Sequence, residues 1–152
     1  MNAATSISPT EYRVTARVPA TGDPAVVDTG TTPLDIDTTW GGKPGLPGPA
    51  ELLTTAFAAC LLKNLARTQD LIAFDYDDAD VEVIARRQDS PPKFVEIVYT
   101  LRITTDEPPH RVELVHRNLR HYGTIYNTLA AVCDVHGELI ATPSAAHREV
   151  AG

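Results

Sequence analysis

The spacing of apolar side chains changes along the chain, and each change predicts a different element. Over residues 11–18 the pattern alternates. Tyr12, Val14, Ala16 and Val18 share one face, and Arg13, Thr15 and Arg17 the other, which predicts a half-buried strand. Residues 21–24, Thr-Gly-Asp-Pro, read as a turn into a second short strand over 25–28, and a third is expected at 34–37. Longer alternation returns over 81–87 and 94–104, where Val95, Ile97, Tyr99, Leu101 and Ile103 fall on one side. Residues 89–92, Asp-Ser-Pro-Pro, turn the chain between these two, predicting a long antiparallel hairpin with one face covering helices and the other in water.

Between the two strand regions the alternation gives way to a continuous apolar run. From Leu52 to Leu62 two threonines are the only polar interruptions besides the thiol of Cys60. Pro49 suits the first helical position and Gly48 a cap, so a helix is expected from there to about Thr68. A helix apolar on all sides belongs inside a protein rather than on its surface. Residues 40–49, with four glycines and three prolines, form the loop that delivers the chain into it. Pro108 and Pro109 open a second helix, with Asp106 as a candidate cap, Val112, Val115, His116 and Leu119 as the buried stripe, and Arg111, Arg117 and Arg120 facing out. Gly123 breaks it, a short helix follows over 124–132, and 134–141 reads as a last strand. This order predicts one α+β domain over 1–152, helices against antiparallel sheet, with 1–10 and 143–152 as flexible ends.

Composition removes several functions. The formal net charge of −7, with no basic run, argues against nucleic acid and against anionic membrane surfaces as partners. No apolar run reaches the roughly 20 residues that span a bilayer, and residues 1–9 have neither a basic nor an apolar leader region, so a cytoplasmic protein is expected. There the two cysteines are expected to be free or redox-active. Two cysteines and five histidines without ligand spacing predict no metal, and the absence of glycine-rich phosphate loops predicts no nucleotide cofactor. Asp75, Asp77, Asp78 and Asp80 read as a solvated connection, with a divalent-cation site as the alternative.

The candidate chemistry centres on Cys60. A buried cysteine often behaves as a small hydrophobe; to act, its thiol needs a neighbouring cation or hydrogen-bond donor. Lys43, Arg13 and Arg17 are candidate cations. Glu51, about 13 Å earlier on the same helix, is either a first-turn carboxylate favoured by the helix dipole or a group that orients such a cation. Cys133 is either a spectator or the thiol that resolves an oxidised Cys60. His116, His121 and His136 form no recognisable hydrolase triad with it.

The run Gly48-Pro49-Ala50-Glu51-Leu52-Leu53, followed by small residues and Cys60, resembles the core helix of the OsmC/Ohr family of osmotically induced and organic-hydroperoxide-resistance proteins. Residues 121–129, His-Tyr-Gly-Thr-Ile-Tyr-Asn-Thr-Leu, resemble that family's Cys-Pro-Val-x-Asn-x-Leu segment, and the element order matches from about Tyr12 to Ile140. The resemblance implies antiparallel sheets wrapped around two core helices in an intertwined homodimer, with active sites at the subunit interface. It also implies that Cys60 is the peroxidatic nucleophile toward organic hydroperoxides in oxidative-stress defence. A second cysteine then condenses with the sulfenic acid, and a dithiol such as a lipoyl protein resets the pair. The family's second cysteine aligns with Gly123 here, which leaves Cys133 as a displaced candidate. Its carboxylate follows proline directly, whereas here Ala50 intervenes before Glu51. The alternative is a non-enzymatic protein of the same fold that binds a small apolar ligand or partner at the dimer interface.

Overall fold

The computed structural model describes residues 10–20 and 24–145 and divides into two compact units, Met1–Leu52 and Leu53–Gly152. In the first, β1 (Thr15–Arg17), β2 (Ala25–Asp28) and β3 (Pro33–Ile36) form an antiparallel sheet in that order, pairing Ala16 with Val27 and Val27 with Leu34. The expected half-buried first strand shrinks to three exposed residues at the sheet edge, and Tyr12, Val14 and Val18 stand in solvent. Alternation alone did not supply a layer for that face to pack on. The turn expected at 21–24 lies outside the described residues except for Pro24.

The loop after β3 is organised by Asp37. Its carboxylate accepts from the Thr39 amide at 2.9 Å, the Thr39 hydroxyl at 2.6 Å and the Lys43 amide at 2.6 Å. These bonds, the Thr39 hydroxyl first, hold the carboxyl below its usual range. Gly42 and Gly45 take φ of 78° and 90°, a region that disfavours other residues. The Asp37 amide donates to the Pro47 carbonyl at 2.9 Å, closing the loop just before α1 (Pro49–Ile72).

In the second unit α1, α2 (Pro109–Tyr122) and α3 (Thr124–Ala130) pack on the sheet β4 (Asp78–Asp89), β5 (Pro92–Thr104), β6 (Asp134–Thr142), whose order places β5 in the centre. Ile97, Tyr99, Leu101 and Ile103 of β5 are fully buried, while Arg102 between them reaches water. Val95 departs from that alternation because it sits at the register shift opposite Arg86 and Arg87. The hairpin β4–β5 is antiparallel as expected, but β6 pairs with β5 in parallel, Leu101 opposite Leu139. The expectation of wholly antiparallel sheet is thereby corrected. The two helices between β5 and β6 carry the chain back across the sheet, which is what a parallel neighbour requires. At the β5–β6 seam Gly137 lies against Tyr99 so closely that a Cβ there would fall 2.2 Å from the Tyr99 carbonyl oxygen.

The central helix is buried on one side only within the chain. Phe57, Leu61, Leu65 and Thr68, spaced by one turn, face the core, whereas Thr55, Ala56, Ala59, Leu62 and Ala66 are exposed. Each fully buried Phe or Leu on this stripe contributes about 1.5–3 kcal/mol. The helix also runs past Thr68 to Ile72, because α2 supplies its end. The Arg111 guanidinium donates to the carbonyls of Ile72 at 2.7 Å and Ala73 at 2.9 Å, satisfying acceptors the helix itself leaves unpaired, and pairs with Glu107 at 2.8 Å. Arg111 was expected to face out. Asp106, expected to cap α2, instead accepts from the Ser144 amide at 3.0 Å, and Pro108 holds the cap position without a side-chain bond.

Candidate active site around Cys60

Cys60 lies on the half-buried flank of α1, beside the stripe formed by Phe57 and Leu61, and its thiol is free. Asn64, one turn later on the same face, donates through Nδ2 to the Cys60 carbonyl at 2.9 Å and lies 3.6 Å from Sγ. The α2–α3 junction approaches the sulfur from the other helices. At Gly123 a side chain is missing where a Cβ would stand 3.6 Å from Sγ, and also 2.8 Å from the Leu119 carbonyl oxygen and 2.8 Å from the Tyr126 Cβ. Gly123 has φ −74° and ψ 110°, which any residue can adopt. Close packing, not backbone conformation, is what suits glycine there.

An aromatic group packs in the core that this helix covers. The Phe57 ring lies 5.9 Å from those of both Tyr99 and Tyr126, and Tyr99 meets His116 edge-on with its hydroxyl 2.7 Å from Nε2. Burial pushes the Tyr99 phenol up, and burial, followed by the charge of Arg120, pushes His116 down. Both groups are therefore held neutral. Further along α1 the Arg67 guanidinium stacks 4.8 Å above the Tyr122 ring, and Asn64, Arg67, Thr68, Asn118 and Tyr122 help to line a cavity of about 170 Å³. Asn64 thus belongs both to the cavity wall and to the surroundings of the sulfur. The sequence reading overlooked it, although its position four residues after Cys60 was visible.

The other candidates fall elsewhere. Glu51 stands in the first turn of α1, where its carboxylate accepts from the Gly48 amide at 3.1 Å, one half of a capping box. Cys133 follows α3. Its thiol donates to the Leu129 carbonyl at 3.2 Å, and burial first, then the charge of Asp134, raises its pKa. No disulfide or hydrogen bond joins Cys60 and Cys133 among the described residues. Arg13 pairs with Glu11 at 3.3 Å, and the Lys43 backbone serves the Asp37 loop.

One group of possible metal ligands converges among the described residues: Glu96, Asp134 and His136 on the exposed side of β5 and β6. His136 lies 3.0 Å from Glu96 and 3.8 Å from Asp134, and Arg86 pairs with the second oxygen of Glu96. His136 first, then Arg86, hold the Glu96 carboxyl below its usual range. The hydrogen bond from His136 and the Arg86 ion pair, both to Glu96, account for the grouping. The acidic stretch at 75–80 does not assemble a comparable set: Asp77 accepts from the Ser144 hydroxyl, and Asp80 pairs with Arg102 at 3.1 Å.

Comparison with solved structures finds the same fold at low identity. An OsmC-like protein from Mycoplasma pneumoniae aligns at 16% identity, covering 90% of this chain and 99% of that one, with a TM-score of 0.75. An organic hydroperoxide resistance protein OsmC from Legionella pneumophila aligns at 18% identity over 88% and 98% of the two chains, with a TM-score of 0.69. An organic hydroperoxide resistance protein of Bacillus subtilis aligns at 18% identity over 87% and 99%, with a TM-score of 0.61. No curated protein matches. The family profile described as OsmC-like protein matches residues 42–136, more than half of the chain, and takes in both the Cys60 helix and the Gly123 junction. The chain belongs to the OsmC-like protein family.

Proposed function

We propose that the protein is a thiol-dependent peroxidase that reduces organic hydroperoxides, with Cys60 as the nucleophile, acting as a homodimer in oxidative-stress defence. The observation that carries this reading is the surroundings of Cys60: a free thiol at mid-helix, facing an amide donor and a residue without a side chain. Organic hydroperoxide resistance proteins among its structural relatives support it. In the proposed reaction the thiol gives its proton to solvent, and the thiolate attacks the outer peroxide oxygen. An S–O bond forms as the O–O bond breaks, and the departing alkoxide takes a proton to leave as an alcohol. Sulfur is oxidised by two electrons and the peroxide is reduced by two. Cys133 or an external dithiol, such as a lipoyl protein, then displaces hydroxide from the sulfenic acid to form a disulfide, which the dithiol returns to thiols. Glu51 is assigned the orienting of a cation toward the thiolate, and the exposed Ala56, Ala59 and Leu62 are assigned to the second subunit.

The test is consumption of cumene hydroperoxide with a dithiol present. Wild type should turn over and Cys60→Ser should not; equal rates in the two would overturn the proposal. Gly123 favours a second reading, because no thiol stands where its Cβ would face Cys60. In that reading the protein is non-enzymatic and holds a small apolar ligand at the subunit interface. Peroxide turnover would then be absent from both forms, and ligand affinity unchanged by Cys60→Ser.

A further inference from the structure

We infer that Asn64 is a positioning residue for Cys60: its side-chain amide orients the sulfur and donates to it. This deepens the peroxidase reading of the same site and concerns the thiol before any peroxide arrives. The amide carries two N–H groups on one nitrogen. The bond to the Cys60 carbonyl, 2.9 Å long, fixes the rotamer, and with the nitrogen so held Sγ lies 3.6 Å away, within reach of a donor to sulfur. A thiol must be ionised to act, and a donor aimed at the charged form favours ionisation. The first turn of the helix, the other device for this, is about three turns away and its influence fades within a turn. Across from Asn64 the sulfur faces Gly123, which has no side chain to donate. Asn64 is thus the side-chain donor the helix places at this sulfur.

The choice of residue matters as well as its spacing. A mid-helix asparagine has lower helix propensity than alanine because its amide competes for backbone groups. Here the competing bond goes back to the carbonyl four residues earlier, the geometry that puts the amide beside the preceding turn's side chain. Of the charged groups, Arg67 on α1 lines the cavity together with Asn64, and it, Lys63 on α1 and Arg120 on α2 are retained in every variant.

The test is the pH dependence of Cys60 alkylation by iodoacetamide, read on the Cys60 peptide by mass spectrometry so that Cys133 is scored separately. Thiolate displaces iodide, so the rate follows ionisation and requires no peroxidase activity. In Asn64→Ala the pH–rate midpoint should move up, with alkylation near neutral pH falling about three-fold. In Asn64→Asp, which replaces the donor by a negative charge, the fall should be about ten-fold. Asn64→Gln should recover part of the difference. Alanine favours helix, so Asn64→Ala keeps the fold even where Asn64→Asp does not. A wild-type midpoint in Asn64→Ala overturns the inference, as does a downward shift in a folded Asn64→Asp. A protein whose Cys60 alkylates as described but leaves hydroperoxide untouched would refute the peroxidase and leave the role of Asn64 standing.

Discussion

Substituting cysteine at Gly123 tests whether the α2–α3 junction stands where a partner thiol would meet Cys60. The built Cβ lies 3.6 Å from the Cys60 sulfur. A disulfide needs that separation to be roughly 3.0 Å, from the standard bond lengths and angles, so a shift of about half an ångström closes the bridge. The same Cβ stands 2.8 Å from the Leu119 carbonyl oxygen and 2.8 Å from the Tyr126 Cβ, so the junction must also open slightly. Overpacking of this kind costs about 1–3 kcal/mol. With both thiols reduced, Gly123→Cys should therefore melt below wild type, by about 4–8 °C for a 2 kcal/mol loss in a chain of this length. Oxidation reverses the sign. Closing the loop between positions 60 and 123 constrains the unfolded chain by about 4 kcal/mol in the chain-entropy model, which exceeds the packing cost. The oxidised variant should thus melt above wild type. The assay is thermal unfolding with and without a reductant, alongside intact mass after one equivalent of cumene hydroperoxide, which should show loss of two hydrogens. If both thiols stay free and the variant melts below wild type in both conditions, the geometric reasoning fails.

Two further outcomes follow from other contacts. Gly137→Ala should destabilise by about 3 kcal/mol, at the upper end of overpacking costs, because the obstacle 2.2 Å away is the Tyr99 carbonyl and not a side chain free to turn; a urea-unfolding loss below about 1 kcal/mol would contradict this. His116, pushed down by burial and then by Arg120, is kept neutral in the fold, so the unfolded chain binds its proton first as pH falls. Stability contributed by the neutral ring is complete above about pH 6.5 and is lost as pH drops from there toward the folded value. Melting temperatures at about pH 7.5 and about pH 5 should differ more in wild type than in His116→Gln; equal differences would exclude His116 as the source.

How much of this was legible in the sequence depended on whether a feature is local. The β4–β5 hairpin was readable because one alternating face, Ile97 to Ile103, packs on helices while the other meets water. Helix α1 was readable as a helix, but not its orientation: Phe57, Leu61 and Leu65 point into the core while Ala56, Ala59 and Leu62, equally apolar, do not. A run apolar on all sides hides its own stripe. The parallel seating of β6 was invisible, since a strand's pattern states which side is buried and not which way it runs. The end of α1 at Ile72 was likewise invisible, because Arg111, thirty-nine residues away, supplies it.

The site divides along the same line. Cys60 and Asn64 are four residues apart on one helix, so their contact follows from helical geometry once the helix is granted. Gly123 reaches the sulfur only because α2 ends and α3 begins at that point of the fold, yet the family resemblance had already aligned it with a second cysteine. Those routes are independent: one compares residue order, the other measures a Cβ against a sulfur. Their agreement distinguishes this junction from Cys133, whose thiol is committed to the Leu129 carbonyl and raised by burial and by Asp134, the opposite of what an attacking thiol needs. If Cys60 is oxidised by hydroperoxide, the α2–α3 junction is therefore a better-placed position for a resolving thiol than Cys133, and Gly123→Cys is the variant that supplies one.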